Sequence, residues 1–376
     1  MKRRSLIGFA VCGIAFAMGS AHAADIKLGV IAGMSGPGTS YGIGIRQGAE
    51  MAIKEINAAG GINGSKIVMT LVDDASNPAQ SVTAMERLVS EKVDLIVGGW
   101  GSSQVMAAME GSERAGMPYV VVGATNPNIT TNKNKWTFRV IQSDSIQAEQ
   151  IAEVAVKRLG MKRIAVINDA NDYGAGNKEI FVASLKKLGV TPVEVQAYQS
   201  ADKDFTSQLT KIRSANADGL AIFGTLPAAP AIMNQAREIG VTAHFIGTGG
   251  LANENLITLA PKSSAGTILT TYFHEDVDAE SRKWSDAFVK EFSGGATPPR
   301  PVLAAWEYRA IKYIVAPCLK SVGTDKEKMR ACLSSWKGRV FGLPTEVYFD
   351  KTNQLVQPSI LVQVGNGQFQ AYKPGK

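Results

Sequence analysis

Three cysteines and three histidines in 376 residues leave little material for thiol or metal chemistry. Cys12 and His22 fall near the N-terminus, so the rest of the chain has only His244, His274, Cys318 and Cys332. No pair among them shows a metal-ligand spacing, and neither a metal nor a cofactor is expected. Aromatic residues are sparse at 7%. The net charge is +7, but the basic residues lie scattered near acidic ones and form no arginine-rich stripe. A nucleic-acid interface is therefore not expected. After the N-terminal run, no stretch reaches the roughly 20 apolar residues that crossing a bilayer requires.

The chain begins MKRRSLIGFAVCGIAFAMGSAHAAD. Lys2, Arg3 and Arg4 precede an apolar stretch from Leu6 to Met18, and Ala21-His22-Ala23 reads as an A-x-A cleavage site. This pattern predicts a secretory signal peptide over 1–23, cut after Ala23. Cys12 lies mid-run after Phe9-Ala10-Val11, without the small residue a lipid-anchoring cysteine wants just before it. Loss of the three basic residues leaves a net charge of +4. About 353 residues remain, more than one ordinary core accommodates, so two domains are expected. Export also permits oxidation of Cys318 and Cys332. Thirteen residues of helical pattern separate them, which predicts a helix-to-helix disulfide.

Strand and helix patterns alternate. Strands are predicted at 26–31, 66–72, 94–97 and 119–122, with helices at 43–59, 78–91 and 103–115 between them. Asn77 is placed to cap the second helix, with Pro78 in its first turn. The apolar runs do not alternate with polar residues, as in parallel strands buried on both faces. The pattern then restarts, with strands at 163–168, 193–198, 219–223 and 244–246 and helices at 177–188, 205–215 and 228–239. These are two α/β blocks, each patterned as a doubly wound sheet. The stretches 136–145 and 266–276, and a third near 341–345, suit crossings between the blocks. Helices are expected near 279–292, 303–321 and 326–336. The strands near 347–349 and 360–364 are expected to return to the second block. The outcome is two lobes with a cleft between them.

Several motifs invite enzymatic readings. GTSYG at 38–42 fits G-x-S-x-G, which would make Ser40 the nucleophile of a hydrolase. That motif needs a sharp strand-to-helix elbow, whereas Gly33 to Thr39 put a loop before Ser40. A capping, glycine-rich loop explains the residues better. GIGIRQG at 42–48 has the wrong spacing for dinucleotide binding, and GGINGSK at 60–66 precedes a strand rather than a helix. A different theme recurs in both blocks. Strands end in small or polar residues just before helices: Gly101-Ser102-Ser103, Gly123-Ala124-Thr125, Asp172-Tyr173-Gly174, Gly224-Thr225 and Gly247-Thr248-Gly249. Each could be simple capping. Together they place N–H groups and hydroxyls at the carboxyl ends of strands, where open α/β sheets bind ligands and where a carboxylate fits.

The order and content of these segments resemble the leucine/isoleucine/valine-binding family, periplasmic receptors of ABC importers. The resemblance rests on SGPGTSYG (35–42), GAEMAIKEINAAGGINGSKI (48–67), LVDDASNPAQSV (71–82), GATNPNIT (123–130), NDANDYGAG (168–176), DKDFTSQLTKI (202–212), QAREIGV (235–241) and GGLANENL (249–256). It spans essentially the whole mature chain. It implies a two-lobed Venus-flytrap fold, ligand capture by hinge closure, delivery to a membrane permease, periplasmic location and a monomer. The lobes would comprise 25–140 with 273–340, and 141–272 with 341–376. It also implies a ligand carboxylate held by Ser102, beside Trp100 and Ser103, and by Gly123-Ala124-Thr125, with Tyr41 and Tyr173 contributing from the first loop of each block. The chain departs from the family at two positions. Gly249 stands where members that bind α-amino acids carry a glutamate for the ammonium, and Thr225 where many carry a tyrosine. A buried ammonium without a partner costs several kcal/mol, although Asp169 or Asp172 could substitute. The expected ligand is thus an amino acid or, favoured by the missing glutamate, a hydrophobic or aromatic organic acid, with Phe273 and Trp306 as further candidate pocket walls. A periplasmic sensor that presents its liganded form to a signalling receptor is the alternative.

Overall fold

The computed structural model describes residues 24–131, 133–293 and 302–372. The leader expected over 1–23, with its cleavage point, lies outside them. No helix among the described residues is long and apolar enough to cross a membrane.

The first block runs β1 (Ile26–Ala32), α1 (Thr39–Ala58), β2 (Ile67–Asp73), α2 (Pro78–Ser90), β3 (Leu95–Gly98), α3 (Ser102–Ala115), β4 (Tyr119–Val121) and β5 (Thr137–Arg139). Its strands form a parallel sheet in the order β2-β1-β3-β4-β5. The second block runs α4 (Asp144–Glu153), β6 (Ile164–Asp169), α5 (Asp172–Lys187), β7 (Glu194–Tyr198), α6 (Thr206–Ser214), β8 (Gly219–Phe223), α7 (Ala228–Glu238), β9 (His244–Gly247), α8 (Glu254–Leu259) and β10 (Ile268–Thr271). Next come α9 (Ala279–Phe292), α10 (Val302–Arg309), α11 (Ala316–Val322), α12 (Lys326–Ser335), β11 (Lys337–Gly338), β12 (Val347–Phe349), β13 (Leu355–Val356), β14 (Ile360–Gly365) and β15 (Gln368–Ala371). The second sheet has the order β7-β6-β8-β9-β10-β14-β15, and only the β10–β14 and β14–β15 pairings are antiparallel. Every residue of β3, β6 and β8 is buried, which is why these strands read as unbroken apolar runs.

Several details differ from the sequence expectation, among them the start of α5 at Asp172, five residues before the predicted 177. Helix α1 begins at Thr39, four residues before the predicted 43. Gly42 and Gly44 weaken the helical pattern there, yet Gly42 is needed, because a Cβ on it would lie 2.1 Å from the Gly33 carbonyl oxygen. The helix expected over 303–321 is interrupted by a wider, π-type turn at Ala310–Val315, just before Pro317, whose missing N–H cannot continue the regular bonding. The strand at 347–349 does not join the second sheet. It pairs antiparallel with β11 and β13 in a small sheet of its own. There Phe349 meets Phe138 edge-on at 5.5 Å, beneath the first sheet. Val347 and Phe349 are buried while Tyr348 is exposed, the alternation of a one-sided antiparallel strand.

The segment linking the sheets after β5 is clasped by 353–358. Buried Arg139 donates to Gln354 Oε1 at 2.5 Å, to the Asn126 carbonyl at 2.6 Å and to Thr130 Oγ1 at 3.0 Å. Gln354 in turn donates to the Ile141 carbonyl at 2.7 Å.

Cys318 and Cys332 are joined as a disulfide between α11 and α12. Closing a loop of about 15 residues restricts the unfolded chain by about 3 kcal/mol. The double replacement Cys318→Ala/Cys332→Ala is therefore expected to lower unfolding free energy by about 3 kcal/mol in urea melts. An unchanged midpoint would show that the crosslink is stabilising nothing.

Candidate functional site

In a doubly wound sheet, neighbouring strands whose following helices diverge to opposite faces leave a crevice at their carboxyl ends. Here β1 and β3 form such a pair in the first sheet, and β6 and β8 in the second. The loops after these strands face one another and enclose a cavity of about 60 Å³. The first block contributes Ser40, Tyr41, Trp100, Gly101, Ser102, Ser103, Gln104 and Gly123. Asn171, Tyr173, Thr225, Gly249, Gly250, Ala252 and Asn253 come from the second, Tyr272 from the second crossing, and Val302 and Leu303 from α10.

The turn after β3 has a local cause. Gly98 and Gly99 adopt φ of 119° and 80°, which side-chain-bearing residues avoid. A Cβ on Gly99 would also lie 2.2 Å from Tyr119 Oη. The turn presents Trp100, whose ring stacks on Tyr41 at 4.9 Å and 4° and covers Gly38. Helix α3 then starts at Ser102, and Gly101 at its N-cap position has no side chain to cap it. Its first N–H groups have no intrahelical partner and carry the positive end of the helix dipole.

Hydrogen bonds cross between the loops of the two sheets. Tyr41 Oη donates to the Gly250 carbonyl at 2.9 Å and accepts from the Leu226 N–H at 3.2 Å. The Asp172 N–H donates to Ser103 Oγ at 3.3 Å, and the Asn253 amide to Ser40 Oγ at 3.3 Å. Asn126 Nδ2 donates to the Asp172 carbonyl at 2.8 Å. The cleft is shut in this conformation. Burial pushes the phenol pKa values of Tyr41, Tyr173 and Tyr272 up, above the ordinary range, so all three stay neutral.

The fold thus gathers Tyr41, Trp100, Ser102, Ser103, Gly123, Tyr173, Thr225 and Gly249 around one cavity. Ala124 and Thr125 lie behind it. Ala124 packs in the core with Met117 and Ile129. Thr125 is buried beside Asp144. Phe273 and Trp306 are core residues rather than pocket walls. Phe273 meets Trp284 edge-on at 5.3 Å, and Trp306 is fully buried with its Nε1 donating to the Tyr272 carbonyl at 2.8 Å. Neither Asp169 nor Asp172 lines the cavity. Asp169 is engaged by Ser200 Oγ at 2.7 and 2.8 Å. Ser40 sits in the first turn of α1 rather than at a strand-to-helix elbow, and its hydroxyl meets the Asn253 amide instead of a histidine. No group of three potential metal ligands occurs among the described residues.

Tyr272 and Asp144 carry no periodic signal and were not legible as site residues. Tyr272 faces Gly249 across the chain crossing. Gln147 ties the two together: its Oε1 accepts from the Gly249 N–H at 3.0 Å and its Nε2 donates to Tyr272 Oη at 3.4 Å. Behind them Asp144, fully buried at the start of α4, has no hydrogen-bond partner of ordinary geometry for either carboxylate oxygen. Desolvation pushes its pKa up to about 7, against the opposing influence of the nearby Thr125, Asn177 and Arg139.

A family model described as periplasmic binding protein matches residues 25–368. An amino acid binding protein of Pseudomonas aeruginosa is 33% identical over 340 residues, covering 89% of this chain and 88% of its own length. The structure of the branched-chain amino acid transporter substrate binding protein LivJ from Streptococcus pneumoniae, in complex with isoleucine, superposes with a TM-score of 0.83 at 28% identity, covering 92% of this chain and 98% of that one. A solute binding protein of an ABC transporter from R. palustris, in complex with benzoate, has the same fold, with a TM-score of 0.83, 21% identity and coverage of 92% and 95%.

Proposed function

The chain belongs to the periplasmic binding protein family, and from that premise we propose that it is the periplasmic solute receptor of an ABC importer. Its cargo is a small carboxylate with an apolar or aromatic body and no α-ammonium. The observation that carries this reading is the lining of the cavity: among the described residues that form it, none bears a charge. An ammonium taken into such a space loses its water without gaining a counter-ion, at a cost of several kcal/mol. A carboxylate instead finds the open N-terminus of α3 with the hydroxyls of Ser102 and Ser103. Each charge–dipole contact of this kind contributes about 0.3–1 kcal/mol, more when water is excluded. The stacked Tyr41–Trp100 pair and Tyr272 supply flat apolar surface for the rest of the ligand. Closure of the two sheets over the ligand makes the cross-cleft hydrogen bonds and creates the surface a permease reads.

The test is a thermal-shift and calorimetric comparison of benzoate, which joins a carboxylate to an aromatic ring without an ammonium, with leucine. A ligand at 100 times its dissociation constant stabilises by about 2.7 kcal/mol. Benzoate and related acids are expected to raise the melting temperature and leucine to leave it unchanged. Leucine binding as tightly as any organic acid would refute the proposed ligand class.

A further inference from the structure

Position 249 sits on the cavity wall in backbone that any residue could adopt, since its φ is not positive. Space, not conformation, keeps it a glycine. A Cβ there would lie 2.2 Å from Tyr272 Cζ, 2.4 Å from its Oη and 2.6 Å from Cε2. The phenol ring therefore occupies the volume that a side chain at 249 would need. The ring itself is fixed. Trp306 Nε1 holds the Tyr272 carbonyl at 2.8 Å, and Gln147 holds both its hydroxyl and the Gly249 N–H. Gln147 is anchored in turn by Thr270 Oγ1, which donates to its Oε1 at 2.8 Å. A neutral aromatic wall held by these bonds stands where a polar or acidic arm from the second block could otherwise reach the ligand.

We propose that Tyr272, packed against Gly249, keeps any side chain at 249 out of the cavity and so maintains its selectivity for a bare carboxylate over a carboxylate that also carries an ammonium. This assignment rests on the cavity being the solute site. It goes beyond the ligand class in naming a single contact pair as the determinant, and it does not require benzoate to be the better ligand. What Tyr272 controls is whether position 249 can bear a side chain. With the ring in place, no carboxylate can enter from 249. With the ring removed, a carboxylate introduced at 249 can.

The experiment compares wild type, Tyr272→Ala, Gly249→Glu and the double variant Tyr272→Ala/Gly249→Glu. Calorimetry with benzoate and with leucine gives the affinity ratio for each, and melting curves report folding. Gly249→Glu alone is expected to melt well below wild type, because its Cβ meets the fixed ring, and Tyr272→Ala is expected to recover most of that loss. The double variant is expected to shift the ratio toward leucine by at least about tenfold relative to wild type and to Tyr272→Ala. If wild type prefers leucine, the ligand class proposed above fails, while the role of Tyr272 is still decided by whether the ratio moves. A ratio unchanged within about threefold in the folded double variant, or no rescue of Gly249→Glu melting by Tyr272→Ala, overturns the assignment.

Discussion

Tyr41→Ala is expected to weaken benzoate binding by about 100-fold, a loss of about 2.8 kcal/mol. The reason is that one side chain serves two purposes. Its ring stacks on Trp100 and lines the cavity, so truncation removes apolar contact with the ligand. Its hydroxyl also donates to the Gly250 carbonyl and accepts from the Leu226 N–H, joining the first sheet's loops to the second's. Those bonds bridge the loops of the shut cleft, so with the proposed capture by closure their loss falls on the ligand-bound form. Tyr41→Phe, which keeps the ring and removes both bonds, is expected to lose about tenfold, consistent with two hydrogen bonds of about 0.5–1.5 kcal/mol each that water partly replaces. The unliganded melting temperature gives the control. Calorimetric affinity for Tyr41→Ala within about threefold of wild type would show that the stack and the bridge contribute little.

The second large effect is pH-dependent stability at Asp144. Its carboxyl is buried without good partners, and its folded pKa is pushed up to about 7. In the unfolded chain an aspartate titrates near 3.9. The folded state thus holds its proton more tightly than the unfolded one. Below about pH 4 both states are protonated and the full stability is present. Between about pH 4 and pH 7 the unfolded chain gives up its proton first, and stability falls by about 1.4 kcal/mol per pH unit. The accumulated loss above pH 7 is on the order of 4 kcal/mol. Asp144→Asn removes that titration. Urea melts from pH 4 to 8 are expected to show a flatter profile for the variant and, at pH 8, greater stability than wild type. Arg139 works in the opposite direction, because its charge favours an ionised Asp144, while its own hydrogen bonds to Asn126, Thr130 and Gln354 survive the substitution. Parallel pH profiles for the two proteins would show that Asp144 is ionised in the folded state.

Local patterns were legible because local physics produces them. Asn77 caps α2 by accepting from Ala79 and Gln80, with Pro78 in the first turn, as the residue order alone indicated. The glycine pair after β3 announced a tight turn before a helix, and the structure shows both left-handed glycines. The alternation of buried strands and helices identified two α/β blocks, and the motif order identified the family, whose model matches residues 25–368. The cavity residues at strand ends were legible for the same reason: in a doubly wound sheet, position after a strand predicts position at the cleft. The strand at 347–349 was visible as a strand, yet its partner was not, because pairing depends on which edge the chain reaches after the crossing.

What the sequence determined by itself was therefore the set of elements, the turns and caps that bound them, the family, and the absence of a glutamate at 249. What only the tertiary structure decided was what fills the space that glycine leaves. Tyr272 lies 23 residues further along, in a segment crossing between the sheets, and its ring meets Gly249 only because β9 and β10 run side by side. In the same way, Phe273 and Trp306 could be read as pocket or core with equal reason until packing turned them away from the cleft. Asp144 looks like an ordinary helix-start acid in the sequence. Its isolation from water and from hydrogen-bond partners is a property of the surfaces closed over it. Backbone preference and hydrophobic period are written within a few neighbouring residues, whereas volume, burial and charge pairing are set by residues distant in the chain.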